Sequence, residues 1–254
     1  MVRGGKGGDP MILSLCQIEE IGAAVIKDFN EFFFHDSIKP REELVRATPI
    51  DQFAHKYLGL SVGYARLSAD GNICGLTCYS DTMYVIEDMG GQRAVALKRN
   101  QVLLDSSFSA HNLAQKMRGK RRFTLAHECA HQILFQMESD EVKQSFRRVY
   151  SERRPYSFRE LKDKEDWNEW QANALGATLL MPQAEIQRAM QRYAKGRKLT
   201  NYGGRYSYAD NLALSLLCQS LGVSKTAAII RLRQLGYIEE RPYREFVDPR
   251  EVWA

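Results

Sequence analysis

The stretch FTLAHECAHQILF, at residues 123–135, decides how the rest of this chain is interpreted. It contains neither Gly nor Pro and is apolar over most of its length, which predicts a buried helix. Residues of an α-helix follow one another at about 100° around the axis, so His127 and His131 differ by only about 40°. Both imidazoles therefore face one point and can bind the same metal ion. Glu128 lies beside them, where its carboxylate can act on a water molecule instead of binding the metal.

A hydrolytic zinc site needs a third protein ligand and an open position for water. In the metzincin pattern a Gly and a third His follow the second His after three and six residues, but Leu134 and Met137 occupy those positions. A second helical run, at residues 165–182, contains one carboxylate well inside it, Glu169, which is the candidate third ligand. Asn173 lies four residues later on the same helix face and is predicted to hydrogen-bond a ligating imidazole.

The chain before residue 123 changes from a helical to a β-strand pattern. Apolar side chains at helical spacing predict a packing helix over residues 15–34. Thr48, Pro49 and Asp51 predict a helix start with Thr48 as N-cap and Pro49 as the first helical residue, and Gly59 predicts the end of that helix. Five β-prone runs then predict a small, mainly antiparallel sheet packed on the H-E-x-x-H helix, at residues 61–67, 73–79, 83–87, 94–98 and 102–104.

Helical patterns dominate the rest of the chain to about residue 236. A polar, basic stretch at residues 139–164 interrupts them and predicts a loop, with room for short helical pieces. Farther on, a helix over residues 208–219, a turn at Gly222 and a second helix capped by Ser224 form a pair that is like a helix-turn-helix.

Two interpretations of this C-terminal helix pair stay open. The pair could be a helical hairpin that covers the core, which is the interpretation we favour. In the other interpretation the second helix contacts DNA through its polar residues, which are Lys225, Thr226, Arg231, Arg233 and Gln234.

Residues 237–254 follow the helix pair. They contain alternating Arg and Glu and two prolines, which predicts an extended arm.

Composition limits the classes of protein to consider. With 44% hydrophobic and 26% charged residues among 254, the chain is typical of a globular protein and not of a disordered one. The formal net charge of +5 is too small to indicate nucleic-acid binding by itself. No apolar run reaches the ~18 residues of a membrane span, and we find no secretory signal. Five scattered cysteines predict reduced thiols and hence a cytoplasmic protein. The lack of an apolar span predicts that the protein has no membrane contact.

Three motifs carry a family resemblance. They are H-E-x-x-H at residues 127–131, E-x-x-A-N at residues 169–173 and L-L-M-P at residues 179–182. Their order resembles the ImmA/IrrE family of metallopeptidases, which are zinc proteases of the gluzincin type. Ala130 and Leu175 depart from the Gly and the Phe that many relatives carry at these positions.

The resemblance covers about residues 48–182 and implies both a fold and a metal site. The implied fold is α+β and zincin-like, with a small sheet on the H-E-x-x-H helix and a helical C-terminal part. The implied metal is Zn2+, bound by His127, His131 and Glu169. Glu128 would then be the catalytic carboxylate.

The implied function is regulatory, because family members cleave helix-turn-helix transcriptional repressors. The expected protein substrate is therefore a repressor of this kind, and direct DNA binding is not favoured. The alternative is a non-catalytic regulatory protein that binds a repressor or DNA through its C-terminal helices and holds a structural zinc ion. The predicted segments are residues 1–47 as lead-in and packing helix, 48–195 as metallopeptidase domain, and 196–254 as the helix-turn-helix-like region with its tail.

In the implied reaction, zinc lowers the pKa of a water molecule toward about 7, and Glu128 moves its proton to the leaving amine. The oxyanion that forms needs a further hydrogen-bond donor besides the metal. The sequence leaves five candidates open: Tyr150, Tyr156, Tyr202, Tyr206 and Tyr208.

Overall fold

The computed structural model describes residues 11–34, 44–88, 91–110, 115–145, 149–151 and 164–247. Within them the fold is α+β, as predicted, with five strands before α3 and mainly helices after it. The helices are α1 (Leu15–Phe34), α2 (Ile50–Gln52), α3 (Gln115–Met137), α4 (Asp140–Ser145), α5 (Lys164–Leu180), α6 (Gln183–Ala194), α7 (Tyr208–Leu221) and α8 (Lys225–Gln234). The strands are β1 (Ser61–Ala65), β2 (Gly75–Cys78), β3 (Thr82–Asp88), β4 (Gly91–Leu97), β5 (Gln101–Asp105), β6 (Val149–Ser151), β7 (Leu199–Tyr202) and β8 (Ile238–Arg241).

The first two helices follow the sequence, except for the start of α2. α1 matches the predicted packing helix and buries Phe29 completely. Thr48 is not the N-cap of α2, since Pro49 holds that position and the Thr48 hydroxyl donates to the carbonyl oxygen of Leu179 at 2.6 Å. That carbonyl belongs to the last turn of α5, where backbone oxygens have no helical partner. α2 continues into a π-helical turn, and Gly59, with a φ of 66°, follows it as the predicted stop.

The strands form three small sheets where one was expected. The main sheet has the order β1-β5-β2-β6, in which β1 and β5 are parallel and the other two pairs are antiparallel. β3 and β4 form a separate antiparallel hairpin, and β7 and β8 pair in parallel. Ile86 and Leu97 of the hairpin pack with Leu76 and Leu103 of the main sheet, because these side chains alternate away from the face that meets α3.

Three strands lie where the sequence predicts none. β6 and α4 fall within the stretch 139–164, of which residues 146–148 and 152–163 lie outside the described residues, and β7 lies between α6 and α7. β8 is formed by the beginning of the predicted extended arm, whose residues 248–254 are also outside the described part. Short strands such as these owe their conformation to their pairing partners and carry little local signal.

One hydrophobic cluster extends from Leu13 to Leu232. It includes buried residues of α1, α3, α5, α6, α7 and α8, so the described parts of all three predicted segments contribute to it. The segment boundaries at residues 47/48 and 195/196 stay predictions. For the metal-binding motif the important consequence is that α3 lies between β2 on one side and α5 on the other.

The C-terminal helix pair has the geometry that its caps predict. α7 ends at Gly222, with a φ of 65°, and Ser224 caps α8 by accepting a hydrogen bond from the amide of Ala227. The two helices are bent by 103°. Structural helix corners and DNA-binding pairs share such angles, so DNA contact stays a prediction. No single helix in the described ranges is long and apolar enough to cross a membrane; α7 and α8 meet the length and hydropathy requirement only jointly.

Candidate metal centre

α3 carries the H-E-x-x-H motif, as the sequence predicts. His127 and His131 are 0% and 3% exposed. Their Nε2 atoms lie 3.0 Å apart, and the planes of the two rings meet at 89°. The four-residue helical spacing therefore brings one nitrogen of each imidazole to the same point.

α5 approaches the motif closely because a glycine lies at the contact. A Cβ at Gly176 would come within 3.1 Å of the backbone nitrogen and Cα of His127. Backbone atoms cannot turn aside as a flexible side chain can, so this separation between the helices suits only Gly. Glu169 lies seven residues earlier, about two helical turns, and is thereby placed over the imidazoles.

Glu169 joins the two imidazoles in one donor group. Its Oε2 atom lies 3.3 Å from Nε2 of His127, and its Oε1 atom lies 3.3 Å from Nε2 of His131. Donor atoms held at about 2.0–2.1 Å around a tetrahedral ion are themselves about 3.3 Å apart. The three separations therefore fit one small divalent metal ion, and these residues form a group of metal-ligand type within the described part of the chain.

The carboxylate of Glu169 has the environment of a metal ligand. Burial opposes its ionisation, but His131 and His127 outweigh the effect of burial and hold the pKa of this carboxyl well below its usual value. Both oxygens are buried without a hydrogen bond of good geometry to the described residues. Their 3.3 Å separations from the imidazole nitrogens also exceed the ~2.7–2.9 Å of a charge-assisted hydrogen bond. A cation between these atoms would satisfy all three donors at once.

Glu128 is fully buried and lies against the first residue of β2. A Cβ on Gly75 would come within 2.6 Å of Oε1 of Glu128 and within 2.6 Å of the methyl group of Thr124. The carboxylate thus occupies the space that any side chain at position 75 would fill. Glu128 is not part of the donor group, so its predicted role of acting on water stays available to it.

Two further contacts with α3, one from β2 and one from the residue that follows it, were not predicted from the sequence. The side-chain amide of Gln132 donates to the hydroxyl oxygen of Thr77 at 2.6 Å. Farther along, the ring of Tyr79 stacks on Phe135, with centroids 4.1 Å apart and planes at 13°. Tyr79 also lines a small cavity together with His131. No sequence pattern separates these residues from ordinary core and surface positions.

Asn173 is half-buried, one turn after Glu169. The structure records no hydrogen bond from its side chain to the described residues, so its predicted contact with an imidazole stays a prediction.

Three of the candidate tyrosines have described side chains, and the contacts recorded for them do not involve the donor group. Tyr202 packs on Phe246, and Tyr206 lies under the ammonium group of Lys225. Tyr208 is 80% exposed at the start of α7. The remaining two candidates, Tyr156 and the side chain of Tyr150, lie outside the described part of the structure.

All five cysteines are free thiols, and none belongs to the donor group. Cys129, inside the motif, is completely buried, and burial together with the neighbouring Glu128 raises the pKa of its thiol well above the usual value. Cys78 is buried and donates to the carbonyl oxygen of Ser80. Cys16 is exposed on α1.

Buried contacts tie the C-terminal helix pair to the rest of the fold. Arg231 of α8 is 1% exposed, so its side chain does not lie on the surface that the less favoured DNA-binding interpretation requires. Its guanidinium group donates to the carbonyl oxygen of Met181 at 3.1 Å and to both carboxylate oxygens of Glu19. Arg122 of α3 donates to the carbonyl oxygen of Gly222, in the turn between α7 and α8, at 3.1 Å. The pair is therefore anchored to α3 as well as to α1.

Comparison with known proteins gives one family. No curated protein matches the chain. Residues 113–233 match the model of a peptidase family described as the IrrE N-terminal-like domain. The match includes all three donors and continues past residue 182, where the sequence resemblance ended, into α8. The match confirms the resemblance over residues 113–233, which are similar to the ImmA/IrrE peptidase family.

Proposed function

We propose that this protein is a zinc-dependent endopeptidase with a regulatory role, which cleaves a partner helix-turn-helix transcriptional repressor. The observation that carries the proposal is the convergence of His127, His131 and Glu169 in one donor group, with Glu128 directly after His127 in the chain. Two imidazoles and a carboxylate are a donor set that hydrolytic zinc sites use. The match of residues 113–233 to a peptidase family model supports the same reaction.

Each residue has a separate task in this reaction. The two imidazoles and Glu169 hold the ion; zinc, when bound, polarises the scissile carbonyl and lowers the pKa of water toward about 7. Glu128 takes the proton of the attacking water and delivers it to the leaving amine. Gly75 has no side chain and so leaves the space that the Glu128 carboxylate occupies beside β2. Burial strengthens these electrostatic interactions, since the surroundings screen charge less than water does.

Two observations favour catalysis over a purely structural zinc ion and DNA binding. The donor group has three members within the described residues, whereas structural zinc sites have four protein ligands. Arg231 is buried, and Arg233 pairs with Glu240 at 2.8 Å, so both arginines are engaged within the protein. The resemblance to the family is the reason for choosing a repressor as substrate, and such a substrate assigns the protein to the cytoplasm.

Metal analysis and cleavage mapping test the proposal. We expect about one zinc ion per chain in the purified protein. The zinc-loaded protein is incubated with a purified helix-turn-helix repressor and, separately, with a peptide library derived from a proteome digest, and new termini are identified by mass spectrometry. Cleavage of library peptides without cleavage of the repressor would retain the peptidase and reject the repressor as substrate.

A pair of glutamate variants assigns the activity to the site. Glu128→Gln should lower the cleavage rate by about 10²–10⁴-fold and leave the zinc content unchanged. Glu138→Gln is the matched control, because this carboxylate follows α3 directly and accepts a hydrogen bond from the amide of Met11. It should cleave like the wild type. Zinc-free wild-type protein, or full activity of Glu128→Gln, would reject the proposal.

A further inference from the structure

We propose that Gln132 is a positioning residue: its side chain holds β2 in register along α3, so that Gly75, which has no side chain, stays opposite the carboxylate of Glu128. The inference deepens the proposed function and rests on it for the role of Glu128. It concerns a residue outside the H-E-x-x-H motif that binds no metal.

The side-chain amide of Gln132 directs its hydrogen bonds to β2. Gln132 is 3% exposed and Thr77 is 0% exposed. The amide nitrogen of Gln132 donates to the hydroxyl oxygen of Thr77 at 2.6 Å and to the carbonyl oxygen of Cys78 at 3.2 Å. Both acceptors belong to β2. A buried amide that donates both of its hydrogens to one strand fixes that strand against the helix.

The residue spacing along α3 matches the spacing along β2. Glu128 and Gln132 are four residues apart on α3, which is about 6.0 Å along the axis. Gly75 and Thr77 are two residues apart on β2, which is about 6.6–6.8 Å, and their side-chain positions share one face of the strand. The two pairs, Gly75 with Glu128 and Thr77 with Gln132, therefore face each other in register. The aromatic stack beyond them continues the same alignment.

A hydrogen bond fixes the position of β2 along α3, which apolar contact alone does not. Hydrophobic contact is non-directional, so it keeps β2 on α3 without setting how far the strand lies along the helix. The hydrogen bond of Gln132 to Thr77 does set it. A displacement of about 1 Å would move Gly75 away from its place opposite the Glu128 carboxylate and shift that carboxylate, and misplacement of this size in an active site lowers rates by about 10²-fold.

Four variants separate positioning from general stability. Gln132→Leu removes the amide donor and leaves the buried hydroxyl oxygen of Thr77 without this hydrogen bond. Thr77→Val removes the hydroxyl that accepts it. The double variant Gln132→Leu/Thr77→Val replaces both partners by apolar groups of similar shape, which restores most of the stability that either single change loses. Gln136→Leu is the control, because it is the same substitution one turn later on α3 at an exposed position.

The experiment measures zinc content, melting temperature, kcat and KM on the best peptide from the library. Positioning predicts that both Gln132→Leu and the double variant keep one zinc ion and a KM within about twofold, while kcat falls about tenfold or more. Gln136→Leu should match the wild type. A double variant that regains both the melting temperature and the kcat of the wild type would show that Gln132 only stabilises the fold, and would overturn the proposal.

Hydrogen exchange tests the register without any activity. We expect faster exchange of the amides of residues 76–78 in the double variant than in the wild type, with unchanged exchange in the core of α3. Unchanged exchange at residues 76–78 would overturn the proposal. If the wild type cleaves no peptide, the proposed function fails, and hydrogen exchange alone then decides whether Gln132 holds the strand.

Discussion

The two ends of α5 bury polar groups in opposite ways. Just past its C-terminal end, Arg231 donates to the carbonyl oxygen of Met181 and to the carboxylate of Glu19, to which Thr178 also donates. Charge and hydrogen bonds are matched there by protein atoms. Near its N-terminal end, Glu169 faces two imidazole nitrogens at 3.3 Å, and its oxygens lack a well-formed hydrogen bond to the described residues.

This difference separates a structural cluster from a binding site. Buried polar groups that satisfy one another contribute to the fold whether or not a ligand is present. Donor groups that converge without such matching are costly to bury alone and favour a bound cation. Disrupting the two ends of α5 should therefore have separable effects, which the following experiments measure.

The largest effect is expected at the C-terminal end. Arg231→Leu leaves the Glu19 carboxylate, which is only 25% exposed, without the cation of its ion pair. We expect the free energy of unfolding to fall by about 3 kcal/mol, because removal of one member of a buried ion pair leaves an uncompensated charge. Urea unfolding of the metal-free protein measures it. The control is Arg233→Leu, whose pair with Glu240 is about half exposed and should contribute about 0–1 kcal/mol. Equal losses in both variants would contradict the assignment of a structural role to Arg231.

The next effect concerns the N-terminal end. At a zinc concentration of 100 times Kd, zinc should stabilise the wild type by about 2.7 kcal/mol over protein with chelator. Glu169→Gln should abolish most of this increment, since a carboxylate ligand is lost. Arg231→Leu should keep the increment although the protein is less stable. A zinc increment that survives in Glu169→Gln would show that this carboxylate does not bind the ion.

Two glycines of the helix contacts give a smaller and more selective effect. Gly176→Ala places a Cβ 3.1 Å from the backbone of His127, and Gly119→Ala places one 3.0 Å from the backbone nitrogen of Ser224. We expect each to lower the free energy of unfolding by about 1–2 kcal/mol through overpacking. Only Gly176→Ala should also weaken zinc binding, which competition with a zinc chelator measures. Equal zinc affinity in the two variants would show that the separation of α3 and α5 does not control the donor group.

The smallest effect belongs to a partly exposed contact, which extends the comparison to the surface. The Tyr57 hydroxyl donates to Asp28 at 2.6 Å, and burial, this hydrogen bond and the charge of Asp28 raise the pKa of Tyr57 from 10.0 to about 12. A raised pKa in the folded state means that the contribution is present below about pH 10 and is lost as the pH rises toward 12. The stability difference between wild type and Tyr57→Phe should shrink over that range. Tyr208→Phe, at an exposed position, should show no such trend.

The donor group could be predicted because helical spacing determines it locally. His127 and His131 share one helix, and the position of Glu169 follows from a single internal carboxylate in the next helical run. The α+β order was predictable for the same reason, since strand and helix periods differ over short windows.

Other features depend on partners far away in the chain. Thr48 bonds to a carbonyl 131 residues away instead of capping α2. The local sequence indicates a surface position for Arg231, because its partner Glu19 lies 212 residues earlier, in α1. Gly176 did carry a signal, because an isolated Gly inside a helical pattern costs about 1 kcal/mol and so indicates close packing. Gln132 carried none, since a buried Gln and a solvated one look alike in sequence.

The uneven burial of the cysteines has a practical use. Cys129 is sealed within the motif, whereas Cys16 lies at the surface of α1. A maleimide dye should therefore attach at Cys16 and leave the metal-binding helix unmodified, above all after the half-buried Cys74 is replaced by Ser. Fluorescence anisotropy of such a singly labelled protein could then follow the encounter with a repressor directly, including in variants that no longer cut it.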